Sequence, residues 1–182
     1  MTKELGVCVF CGAQDKVPQK YLDVGTKFGE WLAAKGRRLV YGGGDSGMMG
    51  RVANGVMDSG GYVTGVYPRD LEKIAEVEHK GLSEIHIVDT MHERKELMYS
   101  ESDTFVIFPG GCGTMDEFFE ILTWAQLQLH EKPIIIFNYD GYWDHLVALL
   151  HNIVDKGFAK PATREYYSVV DEYEDLIRMI RT

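Results

Sequence analysis

The 182-residue sequence contains no apolar run near the roughly 20 residues needed to cross a bilayer, which excludes a helical membrane span. It also lacks a basic stripe. Its net charge of −9 and pI near 5.1 exclude a nucleic-acid polymer or an anionic membrane surface as partner, since both recruit clustered Lys and Arg. Cysteine is scarce: three residues, an odd count, follow a start (Met1-Thr2-Lys3-Glu4-Leu5) without the pattern of a secretory leader. A reducing, cytoplasmic compartment is expected. Several catalytic signatures are missing too, among them Gly-x-Ser-x-Gly, His-Glu-x-x-His, paired C-x-x-C clusters and the Gly-Lys-Ser/Thr of a Walker A loop. Serine-hydrolase chemistry, a zinc site and ATP-driven phosphoryl transfer are therefore not expected, nor is any metal or cofactor. Cys8-Val9-Phe10-Cys11 has redox-motif spacing, but it lies in and just after a strand, whereas a reactive thiol pair needs a helix N-terminus.

Short β-rich runs alternate with longer helical stretches. Strands are predicted at 6–10, 38–41, 62–66, 85–88, 104–108 and 133–137, and helices at 18–34, 46–59, 91–100, 114–130, 142–155 and 172–180. Val7–Phe10, Phe105–Phe108 and Ile134–Phe137 are continuously apolar, as parallel strands covered on both faces must be. The fold class is thus α/β: a Rossmann-like, doubly wound parallel sheet with helices on both faces, in a single domain over residues 1–182. The charged Arg69–Gly81 connection is a candidate lid.

Ligands of such sheets bind beyond the carboxyl ends of the strands, and those positions are rich in glycine. Cys11-Gly12-Ala13 follows the first strand, Gly42-Gly43-Gly44 to Gly47-Met48-Met49-Gly50 the second, and Pro109-Gly110-Gly111-Cys112-Gly113-Thr114 the fifth. Glycine lets backbone N–H groups approach a ligand closely, and a helix N-terminus offers roughly half a positive charge, so the three loops form a candidate phosphate cradle. Gly12, Gly43, Gly44, Gly47 and Met48 belong to this candidate set, with Gly110, Gly111, Cys112, Gly113, Thr114, Met115, Asp116 and Glu117. Gly42, Gly44 and Gly47 also fit G-x-G-x-x-G, a dinucleotide fingerprint, although Val66-Tyr67-Pro68-Arg69 stands where that fingerprint wants an acidic residue.

Two readings of Glu117 stay open. Its carboxylate can do acid–base work beside the cradle, or Thr114-Met115-Asp116-Glu117 is a T-x-x-E capping box in which Glu117 only bonds the Thr114 N–H. Asp116 reads as a solvated first-turn residue that complements the helix dipole. Met91-His92-Glu93-Arg94-Lys95 opens a helix after the fourth strand, so Arg94 and Lys95 either point to the same rim or belong to a solvated charge run.

Together, Pro109–Glu117 (PGGxGTxxE), Val9–Gly12, the Tyr41–Gly50 loop, Met91–Lys95 and Thr123-Trp124-Ala125-Gln126-Leu127 resemble the LONELY GUY (LOG) family over nearly the whole chain. That resemblance implies hydrolysis of the N-glycosidic bond of a purine, cytokinin-type riboside 5′-monophosphate, giving the free base and ribose 5-phosphate. It implies catalytic roles for Arg94 and Glu117, and gives Lys95, Gly111, Gly113 and Thr114 to the nucleotide, with Thr123 and Glu76 lining the pocket. A homodimer is also implied, with Phe118, Phe119 and Trp124 suited to its interface. The alternative from another class is a non-catalytic nucleotide carrier or sensor, because an amide cradle binds phosphate whether or not a bond is cut.

Overall fold

Apolar residues in consecutive strand positions point alternately to the two faces of a sheet, so a continuous apolar strand needs cover on both. In this computed structural model, which describes residues 6–69 and 79–180, both covers are present. The strands are β1 (Gly6–Phe10), β2 (Arg38–Tyr41), β3 (Val63–Pro68), β4 (Glu84–Val88), β5 (Thr104–Ile107), β6 (Ile134–Phe137) and β7 (Ser168–Val170). Among the described residues they form one sheet in the order β4-β3-β2-β1-β5-β6-β7, and every pairing is parallel.

Helices α1 (Gln19–Ala34), α2 (Gly47–Asp58), α3 (Met91–Ser100), α4 (Cys112–Gln126) and α5 (Asp144–Asp155) lie in crossovers, and α6 (Tyr173–Ile180) follows the last strand. Val7 and Val9 of β1 pack with Phe28 of α1, Val52 of α2 and Leu176 of α6 on one face. Cys8 and Phe10 turn the other way, to Met98 of α3, Phe118 of α4 and Leu146 of α5. The chain runs outward from β1 to β4 and returns to β5 on the other side of β1, so the crevice between β1 and β5 is the topological switch point where such folds bind ligands.

The doubly wound architecture agrees with the predicted one. The third strand is displaced to Val63–Pro68, and α4 begins two residues before its predicted start and ends at Gln126. β7 was not predicted. Its three residues, Ser168-Val169-Val170, lie half-buried or exposed at the sheet edge, and a partly solvated edge strand needs no apolar run.

Candidate active site at the sheet's carboxyl edge

At the switch point the loops bind one another before they bind anything else. Gly12 donates its N–H to Pro109 O at 3.0 Å, and Gly12 O accepts from Met48 N at 3.0 Å and Met49 N at 3.3 Å. Gly47, held at φ +59°, donates to Asp15 Oδ1 at 2.7 Å, and Gly50 N reaches Ser46 O. The first amides of α2 are therefore already taken, by a carboxylate and two carbonyls. Gly43 and Gly44 are buried; Gly43, at φ +78°, packs on Tyr67, and its carbonyl accepts from His79 N. The helix end that a pyrophosphate on the G-x-G-x-x-G segment would need open is therefore occupied by the protein's own acceptors.

α4 is different. Gly111 caps it in an extended conformation, and the first intrahelical bond runs from Met115 N to Gly111 O at 3.1 Å. The N–H groups of Cys112, Gly113 and Thr114 precede that bond and meet no acceptor among the described residues. Among the described residues, a Cβ at Gly111 or Gly113 would meet nothing within 4 Å beyond its chain neighbours and its own helix backbone, so space stands open beside these amides. At Gly110 the opposite holds: a Cβ would come within 2.8 Å of Thr114 Cβ and 2.9 Å of Gly12 N. Glycine there is a packing requirement.

The early start of α4 corrects the capping-box reading. Thr114 is the third helical residue, not the cap, so Glu117 belongs to the second turn and has no route to a cap N–H. The chain does contain a capping box, at Thr90 and Glu93, where Glu93 N donates to Thr90 Oγ1 (3.1 Å) and Thr90 N to Glu93 Oε2 (3.2 Å). That box fixes the start of α3 and with it the next residue, Arg94.

Arg94 and Glu117 are both 7% exposed, and Arg94 Nη1 stands 3.6 Å from Glu117 Oε1. The guanidinium is held in place by the ends of two strands: Nε donates to Val66 O at 3.1 Å and Nη2 to Gly42 O at 3.0 Å. A methyl on Gly42 would overlap Nη2 and come within 2.9 Å of Cζ, so Gly42 is the residue that admits Arg94. The charge on Glu117 is felt locally. Burial, then Glu117, push the Cys11 thiol well above its ordinary value, with Arg94 opposing. Cys8 is raised in the same way. These thiols are buried and pack on opposite faces of the sheet, as the redox-pair argument requires.

Lys95 lies between Asp116 Oδ2 and Glu120 Oε2, each at 3.1 Å. Burial works against its ammonium, but the bonds to the two carboxylates outweigh it and the net shift is upward. Lys95, Cys112, Met115, Asp116, Phe119, Glu120, Thr123 and Trp124 line an open groove of about 530 Å³ along α4. Thr123 donates its hydroxyl to Phe119 O at 2.6 Å, and Phe118 is a core residue. On another side of the Pro109–Gly111 turn, a cavity of about 180 Å³ is lined by Gly12, Gln14, Val17, Tyr21, Met48 and Tyr142. Sequence reasoning missed Tyr21 and Tyr142, neither of which carries a motif, and it placed Gly42 in the second glycine loop and its dinucleotide fingerprint, not against Arg94. Glu76 and most of the candidate lid lie outside the described residues.

A family model described as "Possible lysine decarboxylase" matches residues 49–180. The chain is 43% identical over 176 residues to a cytokinin riboside 5′-monophosphate phosphoribohydrolase of Rhodococcoides fascians, covering 97% of this chain and 89% of that protein. It is 38% identical over 174 residues to the Arabidopsis thaliana enzyme of that name, LOG5, covering 96% and 76%. Among solved structures, the molybdenum cofactor binding protein of Rippkaea orientalis superposes with a TM-score of 0.74 at 19% identity, covering 100% of this chain and 98% of that one. The Moco carrier protein of Chlamydomonas reinhardtii superposes with a TM-score of 0.71 at 17% identity, over 98% and 96%. At such identities the likeness is one of fold.

Proposed function

The chain belongs to the LONELY GUY family, and from that premise we propose that it hydrolyses the N-glycosidic bond of a purine riboside 5′-monophosphate of the cytokinin type. Water adds at C1′ and the carbon–nitrogen bond breaks. The base leaves with the bonding electrons and takes a proton, and the products are free base and ribose 5-phosphate.

The observation that carries the reading is the buried Arg94–Glu117 pair beside the open amides of α4. Withdrawing two charges from water costs several kcal/mol per ion before pairing offsets it, and a site that merely grips phosphate has no use for them. In our reading the Gly111, Cys112, Gly113 and Thr114 amides take the 5′-phosphate. Glu117 faces the ribose, where its negative charge stabilises the oxocarbenium-like cation and accepts a proton from the attacking water. Arg94 donates to Gly42 O and Val66 O and acts through Glu117, keeping that carboxylate ionised and aimed. It is a positioning residue. The occupied helix end of the second glycine loop leaves Gly43, Gly44 and Gly47 to shape the rim rather than touch the nucleotide. Lys95 and Thr123 border the α4 groove, which we assign to the base and its N6 substituent.

The lysine-decarboxylase description fits less well. A pyridoxal imine forms from a neutral lysine amine, and Lys95 is held protonated by two carboxylates. The carrier reading shares the fold of the molybdenum-cofactor proteins but leaves the buried ion pair without a task. A cytoplasmic homodimer completes the proposal, with half-buried Phe119 and Trp124 and exposed Leu127 and Leu129 as its apolar face. Incubating the purified protein with AMP and with an N6-modified AMP tests the activity. Free base and ribose 5-phosphate should appear in equal amounts. Bound but intact nucleotide would establish a carrier instead.

A further inference from the structure

We infer that Tyr142 is a positioning residue for the phosphate grip: its hydroxyl locks the Gly110–Gly111 peptide so that the Gly111 N–H stays turned toward the substrate, alongside the helical amides that follow it. The inference rests on the proposed function and adds a residue that no motif marks.

Sterics force glycine at position 110, where any side chain would strike Thr114 and Gly12. Glycine also follows at 111, so the peptide between them is flanked by the two least restricted residues available. Such a peptide can rotate about its own plane with little change elsewhere. In a trans peptide the C=O and N–H point in opposite directions, so rotation would turn the Gly111 N–H away from its working direction. Two bonds oppose this. Pro109 O accepts from Gly12 N at 3.0 Å, which anchors the preceding peptide, and Gly110 O accepts from Tyr142 Oη at 2.7 Å, which anchors the mobile one. Gly110 O has no other donor among the described residues.

The chain goes to some length to deliver that hydroxyl. After β6, buried Asn138 donates through Nδ2 to Asp144 Oδ1 (2.9 Å) and Asp171 Oδ1 (2.8 Å) and accepts from Trp143 N (2.6 Å) through Oδ1. Asp140 and Gly141 then both take left-handed backbone, at φ +56° and +70°, which for Asp140 is uncommon. Lys20 pairs with the Asp140 carboxylate. The Tyr142 ring stands edge-on against Tyr21 at 5.7 Å and Trp143 at 4.6 Å. A strained, braced turn that places one hydroxyl on one carbonyl is the mark of a group whose direction matters.

Tyr142→Phe removes the hydroxyl and keeps the ring. With one neutral hydrogen bond gone, the affinity for inorganic phosphate and for ribose 5-phosphate, measured by calorimetry, should fall roughly fivefold. KM for the nucleotide should rise by the same factor with kcat held within about twofold, while inhibition by the free base stays unchanged. Tyr139→Phe, which removes a hydroxyl from the same turn without touching Gly110, should leave all these constants as they were. Unaltered phosphate affinity in Tyr142→Phe overturns the inference, and so does an equal loss for phosphate and for free base, because that would be a general loosening of the turn. Calorimetry with phosphate needs no turnover. A protein that binds phosphate with the expected dependence on Tyr142 but releases no base would refute the proposed hydrolysis and leave the positioning role standing.

Discussion

Gly42→Ala offers a severe test of the site, because a single methyl group that touches Arg94 and not the nucleotide should disable it. Gly42 is not among the residues with positive φ, so alanine meets no backbone penalty and the effect is steric alone. The new methyl would overlap Arg94 Nη2 and lie 2.9 Å from Cζ, and the guanidinium must withdraw by about 1.6 Å to reach ordinary contact distance. Withdrawal breaks the 3.0 Å bond to Gly42 O and loosens the 3.6 Å pairing with Glu117. Losing a hydrogen bond to a charged group and weakening a buried ion pair costs about 2 to 4 kcal/mol. In a chain of this size that lowers the thermal midpoint by roughly 5 to 15 °C. A displacement of more than about 1 Å in the carboxylate's anchor should cut kcat by at least on the order of 100-fold. Release of free base followed by chromatography, alongside differential scanning calorimetry, reads both numbers. Gly113→Ala is the matched comparison: among the described residues its methyl meets nothing within 4 Å beyond its own helix backbone and chain neighbours, so folding should hold while KM rises. If Gly42→Ala keeps wild-type kcat and thermal midpoint, Arg94 is not anchored as described and its role through Glu117 fails.

Two further outcomes follow from the buried groups. Glu117→Gln preserves shape and an acceptor but removes the charge, so base release should drop by on the order of 1000-fold while calorimetry still detects bound nucleotide; turnover near the wild-type rate would return Glu117 to a structural role. Stability should also fall in alkali. Cys8 and Cys11 have folded-state pKa values raised by burial, so below about pH 8.5 both states hold the thiol protons and nothing changes. Above it the unfolded chain releases protons that the folded protein keeps, and each thiol then removes up to about 1.4 kcal/mol per pH unit. Urea unfolding between about pH 8 and 10 measures that slope, and Cys11→Ala should make it shallower; an unchanged slope would mean that the thiols are not its source.

The sheet was legible because its signal is local. Val7–Phe10 and Ile134–Phe137 announce parallel strands by apolarity alone, and the site rim follows once strand ends are known. What could not be read depends on contacts between distant segments. The same T-x-x-E spacing occurs at Thr90 and at Thr114, and only the true helix starts decide that the first is a cap and the second is not. The two glycine loops look equally suited to phosphate, yet the amides of α2 are consumed by Asp15 and Gly12, one of them from a segment 32 residues away in sequence. Gly42 admits a side chain 52 positions later. No local pattern carries that information.

The grip on phosphate proposed at α4 is built from backbone amides, which are dipoles and not ions. The chain around it carries a net charge of −9, so an approaching nucleotide anion is repelled at long range and held only on arrival. Raising the ionic strength to about 0.1 M shortens the reach of that repulsion to about 10 Å and leaves the short contacts almost untouched. Salt should therefore hasten capture without loosening it, the reverse of what a phosphate site lined with lysine and arginine would do.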